Sequence, residues 1–391
     1  MFKTVSRKMA VSANHAELGN QSGGLAICIP TYRRARQLEK LIGDLALQTI
    51  LPDTLVVVDG DPASGEVPHL LRSLKLFPHT NLIWAPSSHA SLPYQRYLGW
   101  RLCALSRYLL YLDDDLRIPQ RDFVDRITCP FGWDDICVAG VTCSIRFGDP
   151  NRLGSGSFQS AMIELTRRGP KRWHRLCNLG RIAAGDVSPS GHRRMPVRSG
   201  AGYEPVEWLS GGVMAFRTSA LSEGCFPESA FALFKARLGT GEDLVLARHV
   251  REKGALLFGY CAEVEHPYET PTNFGPQDFF RLGLTFAYGE RYVNDHHRGS
   301  TGPSIADRMA LARSLLGTLA LNWFRFLRRP ALHHTAGRRL KYAWGFTVGT
   351  VRALTGLPSS AVLFPGVDWK RDAELAVRNS STFESCLAPQ K

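Results

Sequence analysis

Tyr108-Leu109-Leu110-Tyr111-Leu112-Asp113-Asp114-Asp115 joins five apolar side chains to three consecutive carboxylates. A run that short, without a polar side, reads as a buried strand, and the aspartates then sit at its carboxyl end. Similar runs lie upstream. Ala26-Ile27-Cys28-Ile29-Pro30 reads as a buried strand stopped by Pro30, and Leu55-Val56-Val57-Val58 as a β-branched strand ending on Asp59-Gly60. Asn81 to Ala85 makes a third. Between them, Arg36 to Gln48 carries Leu38, Leu41, Ile42 and Leu45 at helical spacing. His69 to Leu76 and Leu92 to Ser106 read as further helices. Strand and helix in alternation predict an α/β chain with a doubly wound, mostly parallel sheet, whose ligands bind beyond the carboxyl ends of the strands. Asp59 and Asp113 to Asp115 fall at those ends.

Downstream, residues 147–205 are rich in Gly, Ser, Pro and Arg and read as an inserted loop region, with a short helix near Gln159 to Arg168. Order resumes at Trp208, with a strand from Val213 to Arg217. A helix spans Gly239 to Gly254, a strand Leu256 to Tyr260, and a helix Phe279 to Asn294. Ile305 to Leu357 is helical and both apolar and basic. On a helical wheel Leu315, Leu316, Leu319, Trp323, Phe326 and Leu327 share one face; Arg313, Ser314, Thr318, Asn322, Arg325 and Arg329 share the other. That face suits a membrane interface, or equally packing on the rest of the chain with a solvated basic side.

The 391 residues carry a net charge of +13, with 44% hydrophobic and 21% charged residues, which excludes wholesale disorder and favours anionic partners. Nine scattered cysteines with no CxxC pair argue against a disulfide framework and structural zinc. Met1 to Gly24 reads as a polar tail without an apolar signal core, and no segment offers the ~20 apolar residues of a membrane span.

Three adjacent carboxylates repel one another unless a cation compensates. Hard oxygen ligands at a strand end suit Mg²⁺ or Mn²⁺, which take one or two carboxylates plus substrate phosphates. The alternative is a solvated acidic turn. Gly241-Glu242-Asp243 opens a helix, where acidic residues are often only dipole complements. It gains meaning from Trp208-Leu209-Ser210-Gly211-Gly212-Val213-Met214-Ala215-Phe216-Arg217, a Gly-Gly turn that feeds a strand and permits close backbone approach to a bound group.

Taken in order, Ile29-Pro30-Thr31-Tyr32, Val57-Val58-Asp59-Gly60, Gln95-Arg96-Tyr97-Leu98-Gly99, Leu112-Asp113-Asp114-Asp115, Gly211 to Arg217 and Gly241-Glu242-Asp243 resemble the family 2 glycosyltransferases over residues 25 to 270. The resemblance implies a GT-A fold and an inverting, non-processive, metal-dependent enzyme. Pro30, Thr31, Tyr32, Arg34 and Asp59 would embrace the base and ribose of a nucleotide sugar, Arg96 would lie near the nucleotide, and Asp113, Asp114, Gly211 and Gly212 would complete the donor site. Asp115, Asp113 and His266 would hold Mn²⁺ or Mg²⁺. Asp243 would be the catalytic base, supported by Glu242. The donor would be a UDP-, GDP- or dTDP-sugar and the acceptor a saccharide or lipid-linked hydroxyl, in surface polysaccharide or glycolipid synthesis. The polar tail and scattered thiols point to the cytoplasm, and the basic, amphipathic C-terminus to a peripheral place on the inner face of the plasma membrane.

The implied organisation is a tail (1–24), a GT-A domain (25–295) and a basic, amphipathic helical region (296–391). The GT-A domain divides into a nucleotide half (25–125) and an acceptor half (126–295) containing the 147–205 insertion. Tyr97 and Asp59-Gly60-Asp61 depart from the family pattern and leave the base open. Gln277 to Leu282 does not match the processive motif. Two other readings stand beside this one. A sugar nucleotidyltransferase would need a Gly-rich phosphate loop, which Arg33-Arg34-Ala35-Arg36 lacks. A non-catalytic protein of membrane surfaces or nucleic acid would explain the basic charge but not the acidic cluster.

Overall fold

The computed structural model describes residues 24–74, 79–148, 173, 176–177, 182–194, 196, 202–267, 278–328 and 333–383. The candidate helix near Gln159 to Arg168 lies outside them. The first half alternates as its periodicity predicts: β1 (Leu25–Thr31), α1 (Ala35–Ala46), β2 (Thr54–Asp59), α2 (Glu66–Ser73), β3 (Asn81–Pro86), α3 (Leu92–Leu102) and β4 (Tyr108–Leu112). A short α4 (Phe123–Thr128) leads to β5 (Val138–Phe147). Then come β6 (Tyr203–Val206), β7 (Val213–Arg217), α5 (Glu228–Lys235), α6 (Glu242–Arg251), β8 (Ala255–His266) and α7 (Phe279–Asp295). The C-terminal part holds α8 (Ile305–Arg328), α9 (His333–Thr355), α10 (Ser360–Leu363), α11 (Trp369–Arg378) and β9 (Ser381–Phe383).

The described residues form an α/β fold around one nine-stranded sheet of order β6-β8-β5-β7-β4-β1-β2-β3-β9, with a helical C-terminal region. β3, β2, β1 and β4 are mutually parallel, β7 runs against β4, and β5 and β8 are parallel to each other. The period of two along β1 explains the layers. Ala26 and Cys28 enter one core with Tyr94, Leu98 and Tyr111, while Leu25, Ile27 and Ile29 enter the other with Leu38, Leu41 and Ile42.

Several expectations need correction. β1 does not stop at Pro30 but runs on to Thr31, because its pairing with β4 ends at Cys28↔Tyr111 while its pairing with β2 continues. The missing N–H therefore costs no rung on the β4 side. A strand, β6, begins within the stretch read as insertion; paired antiparallel to β8, it forms the sheet edge. The wheel for α8 is also rotated. Its buried residues are Asp307, Ala310, Leu311, Ser314, Leu315 and Asn322, whereas Leu316 and Leu327 are exposed. Local periodicity missed this because Ser314 finds buried partners: its hydroxyl donates to Glu290 at 2.8 Å and meets His192 Nε2 at 3.0 Å.

α9 lies against α7 at near backbone contact. A Cβ at Gly283 would stand 2.3 Å from the Tyr342 carbonyl oxygen, and one at Gly345 1.9 Å from that of Phe280, so neither position admits a larger residue. The chain then returns to the first half. Trp369 packs on His89, Tyr94 and Phe231, His89 Nε2 meets Asp372 at 2.8 Å, and β9 pairs with β3.

Burial pushes the Glu290 carboxyl up to about 8, against the lowering effect of the Ser314 hydrogen bond. A raised carboxyl pKa stabilises the fold fully below the unfolded value of about 4.5, and that stability is lost as pH rises through about 8. Glu290→Gln should therefore flatten the fall in unfolding free energy between about pH 5 and about pH 9, by roughly 3–5 kcal/mol. Urea denaturation across that range measures it; identical pH slopes for the two proteins would contradict the assignment.

Candidate active site

β1, β2 and β4 end at one edge of the sheet. The antiparallel β7 begins there, opposite Leu112, and β8 also terminates there. This brings together Thr31, Asp59, Asp113 to Asp115, Gly211-Gly212 and His266. A bridge between Arg117 and Glu265 fastens the aspartate loop to the end of β8.

The three aspartates part company. Asp114 turns inward: Thr31 Oγ1 donates to it at 2.7 Å and Arg34 Nη1 at 2.9 Å. Burial pushes its carboxyl up to about 7, opposed by Arg34. It clips the end of β1 to the end of β4. Asp115 accepts from Arg34 Nη1 at 2.6 Å, and its other oxygen lies 3.3 Å from His266 Nε2. Asp113 accepts from Arg96 at 3.0 Å. Arg34 therefore touches two of the three carboxylates and Arg96 the third, which relieves the repulsion inherent in the sequence.

Arg96 links the two acidic clusters. Only 1% exposed, it donates from Nη1 to Glu242 at 2.9 Å, and from Nη2 to Asp113 and to the Gly211 carbonyl at 2.6 Å. α6 starts from Gly241, whose φ of 87° only glycine adopts readily, so that Glu242 and Asp243 both project toward the Gly-Gly turn. Burial, with Asp243 alongside, pushes Glu242 up to about 7. Asp243 accepts from the Gly211 N–H at 3.1 Å, from Arg193 Nη1 at 3.0 Å and from the Leu244 N–H at 2.9 Å. A carboxylate held this firmly is oriented for proton transfer.

The nucleotide-side residues are also placed. Pro30 and Thr31 are strand residues. Tyr32 stacks under Arg33, whose φ of 57° is left-handed and whose Nε meets Asp61 at 2.6 Å. Asp59 accepts from the Asp61 N–H at 2.9 Å and from Trp84 Nε1 at 3.2 Å. Gln95 pins the loop from below by donating to the carbonyls of Thr31 and Val58, each at 2.8 Å.

Of the expected metal set, Asp115 and His266 stand together, and Asp113 accepts from Arg96. No group of three or more His, Cys, Asp or Glu side chains is placed to hold an ion among the described residues. The donors still suit a hard divalent cation, since Mg²⁺ and Mn²⁺ need few protein ligands when phosphate oxygens complete the shell. Arg193 is the functional candidate that sequence reasoning missed: it lay within a basic stretch, and only the fold carries it to Asp243 and over the Trp208 ring, 4.8 Å from its centroid.

No family model matches the chain, and no curated protein matches it. Solved structures do. One is "GalNAc-T7 with UDP, GalNAc and Mn2+", at 14% identity and a TM-score of 0.42, covering 67% of this chain and 47% of that one. Another is "Mannosyltransferase PcManGT from Pyrobaculum calidifontis in complex with GDP-Man and Mn2+", at 14% identity and 0.46, covering 84% and 87%. A third is S. aureus TarS 1-349 in complex with UDP-GlcNAc, at 12% and 0.40, covering 84% and 90%. The chain spans about half the length of the GalNAc-T7 structure it matches.

Proposed function

We propose that the chain is an inverting glycosyltransferase of the family 2, GT-A type that moves one sugar from a nucleotide diphosphate donor to an acceptor hydroxyl. One observation carries the reading: Asp243, fixed by Gly211 N–H and Arg193, faces the same sheet edge as Asp113, Asp115 and His266, with Arg96 spanning the two clusters. The motif order in the sequence supports it independently. A nucleotidyltransferase finds no phosphate loop here.

The residues divide the work. The donor's nucleoside lies at the ends of β1 and β2, near Tyr32, Asp59 and Arg33. Its diphosphate meets the edge formed by Asp115 and His266. A bound Mn²⁺ or Mg²⁺ would use those two side chains and supply Lewis-acid neutralisation of the leaving diphosphate. Asp243 accepts the proton of the acceptor hydroxyl as that oxygen bonds to the anomeric carbon and the bond to the diphosphate breaks. Attack and departure on opposite faces invert the configuration. Glu242 and Arg96 position the base and stabilise charge around it. Arg193 neutralises Asp243 until an acceptor displaces it.

Asp115→Ala is expected to abolish the metal-dependent part of UDP binding. Titration calorimetry with and without Mn²⁺ tests this, and an affinity unchanged in both conditions refutes the metal role. A panel of nucleotide sugars, read by Mn²⁺-dependent hydrolysis or thermal stabilisation, identifies the donor.

A further inference from the structure

The face that the rotated α8 leaves uncovered contributes no residue to the candidate site. Ile305 is 82% exposed, Met309 67%, Leu316 53% and Leu327 68%. At helical spacing these four fall in one narrow stripe. On α9, Leu340 (42%), Trp344 (54%), Val351 (61%) and Leu354 (43%) form a second stripe. The two adjoin. Trp323 Nε1 donates to Thr347 Oγ1 at 3.0 Å across the helix pair, and both residues, half-buried, fall by helical spacing in line with the stripe of their own helix. The result is a contiguous apolar surface, which soluble monomers rarely expose.

Its margins are basic. Arg313 and Arg328 on α8, and Lys341 and Arg352 on α9, are exposed beside the stripes. From Ile305 to Thr355 the sequence holds nine Lys or Arg and one acidic residue, Asp307, which is buried and paired with Arg298. No helix among the described residues is long and apolar enough to cross a membrane.

We propose that the α8–α9 face lies in the interface of an anionic lipid bilayer, with Leu316, Leu327 and Trp344 at the acyl boundary and the basic margins on the headgroups. Charge selects this occupant over a second copy. Two such faces in contact would bring like-charged margins together, whereas anionic headgroups neutralise them. The proposal does not depend on the glycosyl-transfer reading.

Sedimentation of the full chain with vesicles tests it. Phosphatidylcholine vesicles containing phosphatidylglycerol should carry the protein down, pure phosphatidylcholine far less, and added salt should weaken the binding. Leu327→Glu with Trp344→Glu should lower partitioning by at least about tenfold without altering the melting temperature. Arg328→Glu with Lys341→Glu should lower it roughly fivefold per residue. Leu105→Glu makes the same chemical change on a 96% exposed residue between α3 and β4 and should have no effect. Failure to sediment with anionic vesicles, or equal partitioning by the Leu327/Trp344 variant, would overturn the proposal. So would a concentration-dependent dimer that this variant breaks, which would name a second copy as the occupant. Loss of donor binding with vesicle binding intact would count only against the transferase reading.

Discussion

Asp243→Asn is expected to lower turnover by about 10²–10⁴-fold while donor binding persists. The asparagine keeps a side-chain oxygen for the Gly211 N–H and fills the same space at the start of α6, so the turn and the donor edge stay in place. It loses the basic oxygen that takes the acceptor proton, and the charge that holds Arg193. Steady-state kinetics and calorimetry with the donor separate the two effects. Near-normal turnover would remove Asp243 from the role of base. Equal loss of donor affinity and turnover would make it a structural residue of the turn.

Arg96→Met should give the largest loss of stability of any single change at the site, about 3–5 kcal/mol. Methionine fills much of the space but leaves the carboxylates of Asp113 and Glu242 and the Gly211 carbonyl without their shared donor. The sign of the pH dependence follows. Glu242 already sits near 7 with Arg96 lowering it. Without the guanidinium it rises further, and a raised carboxyl pKa means stability that is present at low pH and lost as pH rises through that value. The deficit in urea denaturation should therefore be smaller near pH 5 than near pH 8. A pH-independent deficit below about 1 kcal/mol would show that Arg96 does not balance buried charge.

Much of the fold was legible in the sequence because its signals are local. Apolar runs at Ala26, Leu55 and Tyr108 mark strands buried on both faces, and Leu38, Leu41, Ile42 and Leu45 mark the inner face of α1, whatever they pack against. β6 and β9 were not legible: four and three residues at a sheet's edges carry too little pattern to stand out. The α8 face misled for a related reason. A wheel ranks side chains by polarity, but Ser314 became buried where Glu290 and His192 receive it, Asn322 became buried as well, and Leu316 and Leu327 were left outside.

At the sheet edge, the sequence by itself determined which carboxylates would crowd together, since Asp113 to Asp115 are neighbours in the chain and end a strand whatever else folds. Tertiary structure alone decided what each one does. Asp114 meets Thr31 from 83 residues away and turns inward, Asp115 shares Arg34 and reaches His266, and Asp113 is joined through Arg96 to Glu242. Arg193, 50 residues before Asp243, closes on it only because the loop bearing it folds back over α6. Strand and helix follow from the period of adjacent side chains, whereas the state of a buried charge depends on whichever distant donor the fold brings within about 3 Å.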